Sequence, residues 1–317
     1  MKASVVVCTY NRAVSLKRTL ASLAAMAPPD DAEWELLVID NNSPDATREA
    51  VEEFAGTAPL TVRYVFEPQQ GLSYARNRGV REARGEIIAF TDDDIVVDAL
   101  WLRNIVRAFR EHDAGCIGGK IIPLWSQPRP AWFTSELFWY LALLDLGDEV
   151  RILTEPQLWG ANFAVKASLF SRYGYFNPAA GRIGEKLYAG EETQFIRTLI
   201  GNGEKVCYVP DIVVHHVVPA ERIRKSYFRR TIFDRGEQLA LETETGGDPT
   251  LMGVPLQELP SVAGKLWNYL HALMRRQRRA FNEQLDLVGN MGYIVGKIKY
   301  RNRSSKALRK RSKREPL

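Results

Sequence analysis

Three adjacent carboxylates, Asp92-Asp93-Asp94, follow directly on the apolar run IIAFT at residues 87–91. Like charges held that close repel one another, and their intrinsic use is to supply oxygen ligands to a hard divalent cation. Carboxylates alone seldom fill the coordination of Mg2+ or Mn2+; substrate phosphate oxygens and water complete it. The chemistry implied is metal-assisted handling of a phosphorylated substrate, set against the plainer reading of a solvated acidic turn. Asp40 favours the former, because it ends a second apolar run, ELLVID, in the same way. Gly118-Gly119-Lys120 is no rival phosphate site, since it lacks the G-x-x-x-x-G-K-[ST] spacing of a P-loop.

Carboxylates at run ends need strands to present them. Residues 4–8 (SVVVC), 35–40 (ELLVID), 60–66 and 87–91 are short, apolar and β-rich, the pattern of buried strands. Between them, residues 13–26, 47–54 and 72–83 carry helical spacing, with Asp45 placed as N-cap of the second helix. This alternation predicts a mainly parallel α/β sheet with right-handed crossovers. Ligands of such sheets bind beyond the carboxyl ends of the strands. The segments that matter are then Thr9-Tyr10-Asn11, Asp40-Asn41-Asn42-Ser43 and the aspartate trio.

Beyond Ile122 the texture changes. Pro123, Pro128 and Pro130 break any long element, and an aromatic-rich patch follows, from Trp125 to Tyr140. Its Trp132–Tyr140 portion reads as helix packing ahead of a sugar-stacking surface. Next come residues 158–165, a Gly-rich loop at 174–190, a helix at 191–201 and a strand pair near 205–218. Over residues 262–298 apolar side chains recur at three- and four-residue steps. That predicts an amphipathic helix or helix pair, interrupted at 275–279 and by Gly289 and Gly292. Residues 299–317 read as an unfolded basic tail.

Taken in order, these pieces resemble the family 2 glycosyltransferases, inverting enzymes of the GT-A fold. The resemblance runs from Val5 to about His216. It rests on VVVCTYNR, LLVIDNNSPDAT, GLSYARNRGVREARGEIIAFTDDD, LWGANFAVKASLF, GEETQF and VPDIVVHH, with Asp92-Asp93-Asp94 as the family's D-x-D motif. It implies a mixed, mostly parallel sheet flanked by helices, here with a C-terminal amphipathic helical extension. Residues 1–245 would form the catalytic domain, with a nucleotide-binding half at 1–122 and an acceptor half at 123–245. Residues 246–317 would form the extension and tail.

The resemblance also assigns roles. Thr9 and Tyr10 should line the base and ribose of the nucleotide. Asp40 should accept a hydrogen bond from the base, as expected for a uracil nucleotide. Asp92 and Asp93 should sit near the ribose and diphosphate, and Asp94 on the Mn2+ or Mg2+ that bridges the two phosphates. His216 falls where relatives place a histidine touching metal or diphosphate; the alternative is one histidine of a strand pair turned into the core. Trp159 and Asn162 fit the acceptor-side wall, with Trp159 as a plain core residue the alternative; Arg182 and Lys186 lie in the loop that could close over the diphosphate, although each taken alone reads first as part of a solvated loop. Glu191-Glu192 stands where the family usually carries Glu-Asp, so by position Glu192 replaces the general base. Its side chain is one methylene longer, which leaves either glutamate as the candidate. An acidic pair at a helix start also stabilises the dipole by roughly 0.3–1 kcal/mol with no catalytic role.

The implied reaction is a single displacement from a nucleotide-diphosphate sugar to a saccharide or lipid-linked saccharide hydroxyl, with inversion. A nucleotidyltransferase would want a Gly-rich loop after the first strand, and CTYNR has no glycine. A nicotinamide or flavin enzyme would want G-x-G-x-x-G there. A non-catalytic module, binding sugar nucleotides, membrane or RNA, is the rival from another class.

Charge is distributed unevenly. Residues 220–317 carry 21 basic and 10 acidic side chains, whereas residues 1–219 carry 22 and 28. Residues 297–317 alone hold ten Lys/Arg and one acid. Near an anionic leaflet each such charge contributes up to roughly 1 kcal/mol, which suits an anionic membrane surface as partner. Nucleic acid suits it less, because stacking aromatics are missing from the tail. Cys8, Cys116 and Cys207 lie far apart in apolar runs, neither a disulfide framework nor a metal spacing. With no signal-peptide pattern and no apolar run near bilayer length, the expected location is the cytoplasm, peripheral to the inner face of the cell membrane if the tail binds lipid.

Overall fold

The computed structural model describes residues 1–29, 32–178, 180, 190–243, 249–251, 254–256, 258–277 and 279–311, the side chains of 242, 259 and 301–311 excepted. Arg182 and Lys186 lie outside the described residues.

The four apolar runs of the first ninety residues become strands β1 (Lys2–Thr9), β2 (Glu33–Asp40), β3 (Val62–Phe66) and β4 (Ile87–Asp92). Helices α1 (Ala13–Ala25), α2 (Thr47–Thr57) and α3 (Leu72–Glu82) alternate with them. The chain continues through β5 (Ile95–Val97), α4 (Trp101–His112), β6 (Cys116–Trp125), β7 (Arg151–Ile152), β8 (Asn162–Lys166), α5 (Ser168–Tyr173), α6 (Glu191–Gly201) and β9 (Val206–Val218). Among the described residues these strands form one mixed sheet in the order β3-β2-β1-β4-β8-β6-β9-β5, with β7 beside β9. The β3-β2-β1-β4 half is parallel throughout; β8 inserts antiparallel between β4 and β6. The strand pair expected near 205–218 is one continuous strand, β9, which pairs parallel with β6 and antiparallel with β5 and β7.

Val5, Val6 and Val7 of β1 are all buried, as a strand covered on both faces requires. On α1, Leu16, Leu20 and Leu23 repeat at helical spacing and are fully buried. Each such side chain stabilises the fold by about 1.5–3 kcal/mol relative to exposure. All three cysteines are buried and free.

Register decides what meets at the strand ends. Across β1, Cys8 lies opposite Asp92 and Thr9 opposite Asp40. Ile95 lies opposite His216, so the turn that carries Asp93 and Asp94 leads straight onto the histidine strand. Asn11 (φ 53°) and Asn42 (φ 62°) turn the chain sharply after β1 and β2, a left-handed conformation that asparagine tolerates better than most side chains. The two turns are tied together where the Asn11 amide donates to the Ser43 hydroxyl (2.9 Å). Asp45 stands one residue before the N-cap position of α2, which Ala46 occupies; its carboxylate accepts from Thr47 at the start of that helix and also from the Ala13 amide at the start of α1 (3.0 Å).

These elements belong to one compact unit, residues 1–126, 141–185 and 189–219. A second unit contains residues 127–140 and the chain from Ala220 onward. Its helices are α7 (Lys225–Glu242), α8 (Glu258–Met274) and α9 (Ala280–Arg311). The expected helix pair is thus α8 and α9, broken at 275–279. Gly289 and Gly292 do not interrupt α9; they let it approach α7. A Cβ on Gly292 would come within 3.0 Å of the Phe233 Cα, so only glycine permits the crossing. The expected unfolded tail is corrected in part, because α9 runs on to Arg311. The aromatic patch packs, as read: Trp132 stacks edge-on against Phe281 (4.9 Å between centroids) and Phe133 against Phe228 (5.5 Å).

Candidate active site

The aspartate trio sits at the carboxyl edge of the sheet, where β4 ends and a two-residue turn leads to β5. Asp93 is buried, and its carboxylate accepts hydrogen bonds from the Thr9 hydroxyl (2.8 Å) and an Arg12 Nη1 (3.0 Å). The same Arg12 nitrogen donates to Asp94 Oδ2 (2.9 Å). Asp94 Oδ1 lies 3.3 Å from His216 Nε2. Burial pushes the Asp93 carboxyl up to about 6; the charges of Asp94 and Asp92 push the same way, against Arg12 and the Thr9 hydrogen bond.

A second cluster joins the trio to the glutamate pair. Arg76 projects from α3 with 4% of its side chain exposed. One of its Nη1 hydrogens bonds Glu191 Oε1, and the same nitrogen lies 3.7 Å from Glu192 Oε2. Its Nη2 lies 3.4 Å from Asp92 Oδ1. Both glutamates open α6 and are buried, Glu191 to 1% exposure and Glu192 to 7%. Gly190 precedes them at φ 124°, a backbone conformation that L side chains rarely adopt. The Gly160 amide donates to Glu192 Oε1 (3.3 Å), and the Arg76 guanidinium fills the space where a Cβ on Gly160 would stand.

The electrostatics follow from one guanidinium facing three carboxylates. Burial works against the Arg76 charge, yet Glu191, Glu192 and Asp92 outweigh it and hold the group protonated. Burial raises Glu191 to about 7, the charge of Glu192 adds to this, and Arg76 opposes it. The helix start thus brings a carboxyl raised towards neutrality, Glu191, beside a second glutamate and a guanidinium that also reaches Asp92.

Several expected site residues therefore meet: Thr9 with Asp93, Asp94 with His216, and Asp92 with Glu191 and Glu192 through Arg76. Asp40 lies in register with Thr9; it is buried and accepts hydrogen bonds from the Tyr64 hydroxyl (2.7 Å) and the Ser43 amide (2.9 Å). Tyr10 is exposed at the end of β1, and Trp159 is half-buried beside Gly160. Asn162 departs from its expected acceptor-side place. It is fully buried, accepts the Trp101 indole N–H (2.8 Å) and donates to the carbonyls of Lys120 and Ile212 (2.9 Å each), so its polar atoms are committed to the core. Arg12 and Arg76 were missed. Their signal lay in the motifs TYNR and YARNR. In the second, the neighbouring Ala75 and Gly79 are small residues on the inward face of α3, leaving room there for one long side chain.

A family model described as Glycosyl transferase family 2 matches residues 4–174. The glucosyl-dolichyl phosphate glucuronosyltransferase of Haloferax volcanii is 29% identical over 239 residues, 74% of this chain and 72% of that protein. The succinoglycan biosynthesis protein ExoM of Rhizobium meliloti is 28% identical over 232 residues, 73% and 72% of the two chains. Among solved structures, the mannosyltransferase PcManGT of Pyrobaculum calidifontis, in complex with GDP-Man and Mn2+, superposes with a TM-score of 0.59 at 20% identity, covering 91% of this chain and 85% of its own. S. aureus TarS 1–349 in complex with UDP-GlcNAc gives 0.52 at 18% identity, covering 94% and 93%. The structural likeness is one of fold, the GT-A arrangement of a mixed sheet flanked by helices.

Proposed function

The chain belongs to glycosyl transferase family 2, and we propose that it transfers a sugar, with inversion, from a nucleotide-diphosphate donor to a hydroxyl of a saccharide or lipid-linked saccharide. The observation that carries this reading is the continuous cluster from the partly exposed Asp92 through buried Arg76 to buried Glu191 and Glu192. It joins a phosphate-side carboxylate to a proton-accepting pair, which is what a single displacement needs at its two ends.

On the donor side, Thr9, Tyr10 and Asp40 lie at adjacent strand ends and would receive the nucleoside, with Asp40 favouring uracil. Asp92 and Asp93 would face the ribose and diphosphate. Two donors at right angles on one ion, each bonded at about 2.1 Å, stand about 3 Å apart. Asp94 Oδ1 and His216 Nε2, 3.3 Å apart, fit that spacing. Among the described residues no group of three His, Cys, Asp or Glu side chains surrounds a metal position, so these two ligands rely on diphosphate oxygens and water for the rest. When bound, Mn2+ or Mg2+ would stabilise the negative charge that gathers on the leaving diphosphate. GDP-Man with Mn2+ in the Pyrobaculum enzyme and UDP-GlcNAc in TarS support a nucleotide-sugar donor. The dolichyl phosphate named for the Haloferax relative supports a lipid-linked acceptor, which the basic residues 297–317 would meet at an anionic membrane surface.

On the acceptor side, Glu192 takes the hydroxyl proton as the oxygen attacks. Glu191 is the more deeply buried of the two and is engaged by Arg76, which leaves Glu192 as the base and Glu191 as part of its mounting. Replacement Glu192→Gln should lower kcat by roughly 100-fold or more while leaving the donor Kd unchanged, measured by steady-state transfer and calorimetric donor titration. Should Glu191→Gln alone show that split while Glu192→Gln remains active, the base would be Glu191.

A further inference from the structure

Helix α8 is amphipathic the wrong way round for a protein surface. Its polar groups turn towards α9: the Lys265 ammonium donates to Asn290 Oδ1 (2.6 Å), the Ser261 hydroxyl accepts from Asn290 Nδ2 (3.2 Å), and the Tyr269 hydroxyl accepts from Gln284 Nε2 (3.1 Å). Its large apolar side chains turn to solvent instead. Leu266, Trp267, Leu270, Leu273 and Met274 are 43–71% exposed. At helical spacing they make one unbroken stripe that carries no charge. Scattered exposed leucines are ordinary, but a contiguous apolar stripe on a monomer marks something that covers it.

We infer that this outer face of α8 seats the protein on an anionic bilayer surface. The partner is chosen by the charges that frame the stripe. Exposed Arg275 and Arg276 follow its last residue, Met274. Over residues 275–311 the sequence holds twelve Lys/Arg against Glu283 and Asp286 alone; of these, Lys297 is buried and donates to the Thr243 carbonyl and Lys299 pairs with Glu237, which leaves ten. An apolar helix face ending in arginines, with a tryptophan midway, is the arrangement that lies in the headgroup plane, side chains in the acyl boundary and cations on lipid phosphates. Spanning is a different matter: among the described residues no helix is long and apolar enough to cross a membrane. RNA would leave the apolar stripe uncovered, and a second copy of the chain would leave the cationic run unmatched. The inference deepens the membrane contact read from residues 297–317 and does not depend on the transfer chemistry.

The test uses the full chain and sucrose-loaded vesicles of phosphatidylcholine, with and without one part in about three of phosphatidylglycerol. Trp267→Ser combined with Leu270→Ser exchanges exposed side chains and should leave the melting temperature unchanged. The double variant is expected to bind the anionic vesicles at least about tenfold more weakly than the parent. Arg275→Gln with Arg276→Gln should weaken binding to anionic vesicles and leave the residual binding to neutral ones alone. Undiminished vesicle binding by the Trp267/Leu270 variant would overturn the proposal, as would a parent protein that binds neither vesicle. Light scattering that shows a dimer in the parent and a monomer in the variant, with vesicle binding equal, would assign the stripe to a second copy and overturn it too. Donor binding, read separately by thermal shift in both proteins, reports on the transferase reading and leaves the vesicle comparison standing.

Discussion

At Arg76 one guanidinium faces Asp92, Glu191 and Glu192, so full ionisation leaves the buried cluster with excess negative charge. The fold relieves this by favouring the proton on Glu191, whose carboxyl is raised to about 7 chiefly by burial. The native state therefore keeps a proton between pH 4.5 and about 7 that the unfolded chain has released. Stability from this group is complete at low pH and falls as pH rises through about 7. Arg76→Met removes the cation that contacts Asp92, Glu191 and Glu192. It should destabilise the protein by about 3–5 kcal/mol at pH 8 and by clearly less at pH 5, where Glu191 holds its proton; urea unfolding at the two pH values measures both. A loss equal at both would mean that Arg76 acts through packing alone. Among these residues the acidic ones were legible, since carboxylates at strand and helix ends advertise chemistry. The two arginines were not, because an arginine in a sequence looks the same whether it is solvated or swallowed by a site.

The elements show where periodicity informs and where it fails. Strands β1, β2 and β4 of the parallel half announced themselves as short apolar runs that are largely buried, and α6 begins and ends at the residues expected, Glu191–Gly201. Helix α4 was legible but unread: Trp101, Leu102, Ile105, Val106 and Phe109 repeat at helical steps and are all buried. Strand β6 went unrecognised because Gly118, Gly119 and Pro123 look like breakers. In the sheet the two glycines sit at a register shift between Gly118 and Lys120, where close backbone approach needs glycine, and Pro123 pairs with His216 inside the ladder. Asn162 was misplaced for a related reason: its motif was informative, but a side chain's inward or outward direction depends on sheet register, which local sequence does not set. In the helical unit, Gly289 and Gly292 looked like interruptions because the partner helix, α7, had not been recognised. Gly292→Leu should therefore destabilise the protein by roughly 1–3 kcal/mol, read as a lower urea midpoint at pH 7 with the slope unchanged. Donor binding should persist in that variant under folding conditions.

Across the whole molecule the chain divides its charge, with an acidic excess before residue 220 and a basic excess after it. In the first unit the acids gather at the carboxyl edge of the sheet, where Arg12 and Arg76 hold them against their own repulsion. In the second, the cations of Arg275 and Arg276 follow an apolar helix face that is exposed among the described residues. Two kinds of anion are thus proposed for two parts of the protein: a diphosphate at Asp92, Asp93 and Asp94, and lipid phosphates at the end of α8. The first is the central claim, and thermal denaturation with a panel of nucleotide sugars, with and without Mn2+, tests it most directly. A ligand at 100 times its Kd adds about 2.7 kcal/mol to stability, which for a body of this size raises Tm by roughly 5–10 °C. The account predicts such a rise for a uridine-diphosphate sugar with Mn2+, little without the ion, and none in Asp94→Ala. Equal stabilisation with and without Mn2+, or no response to any nucleotide sugar, would contradict it.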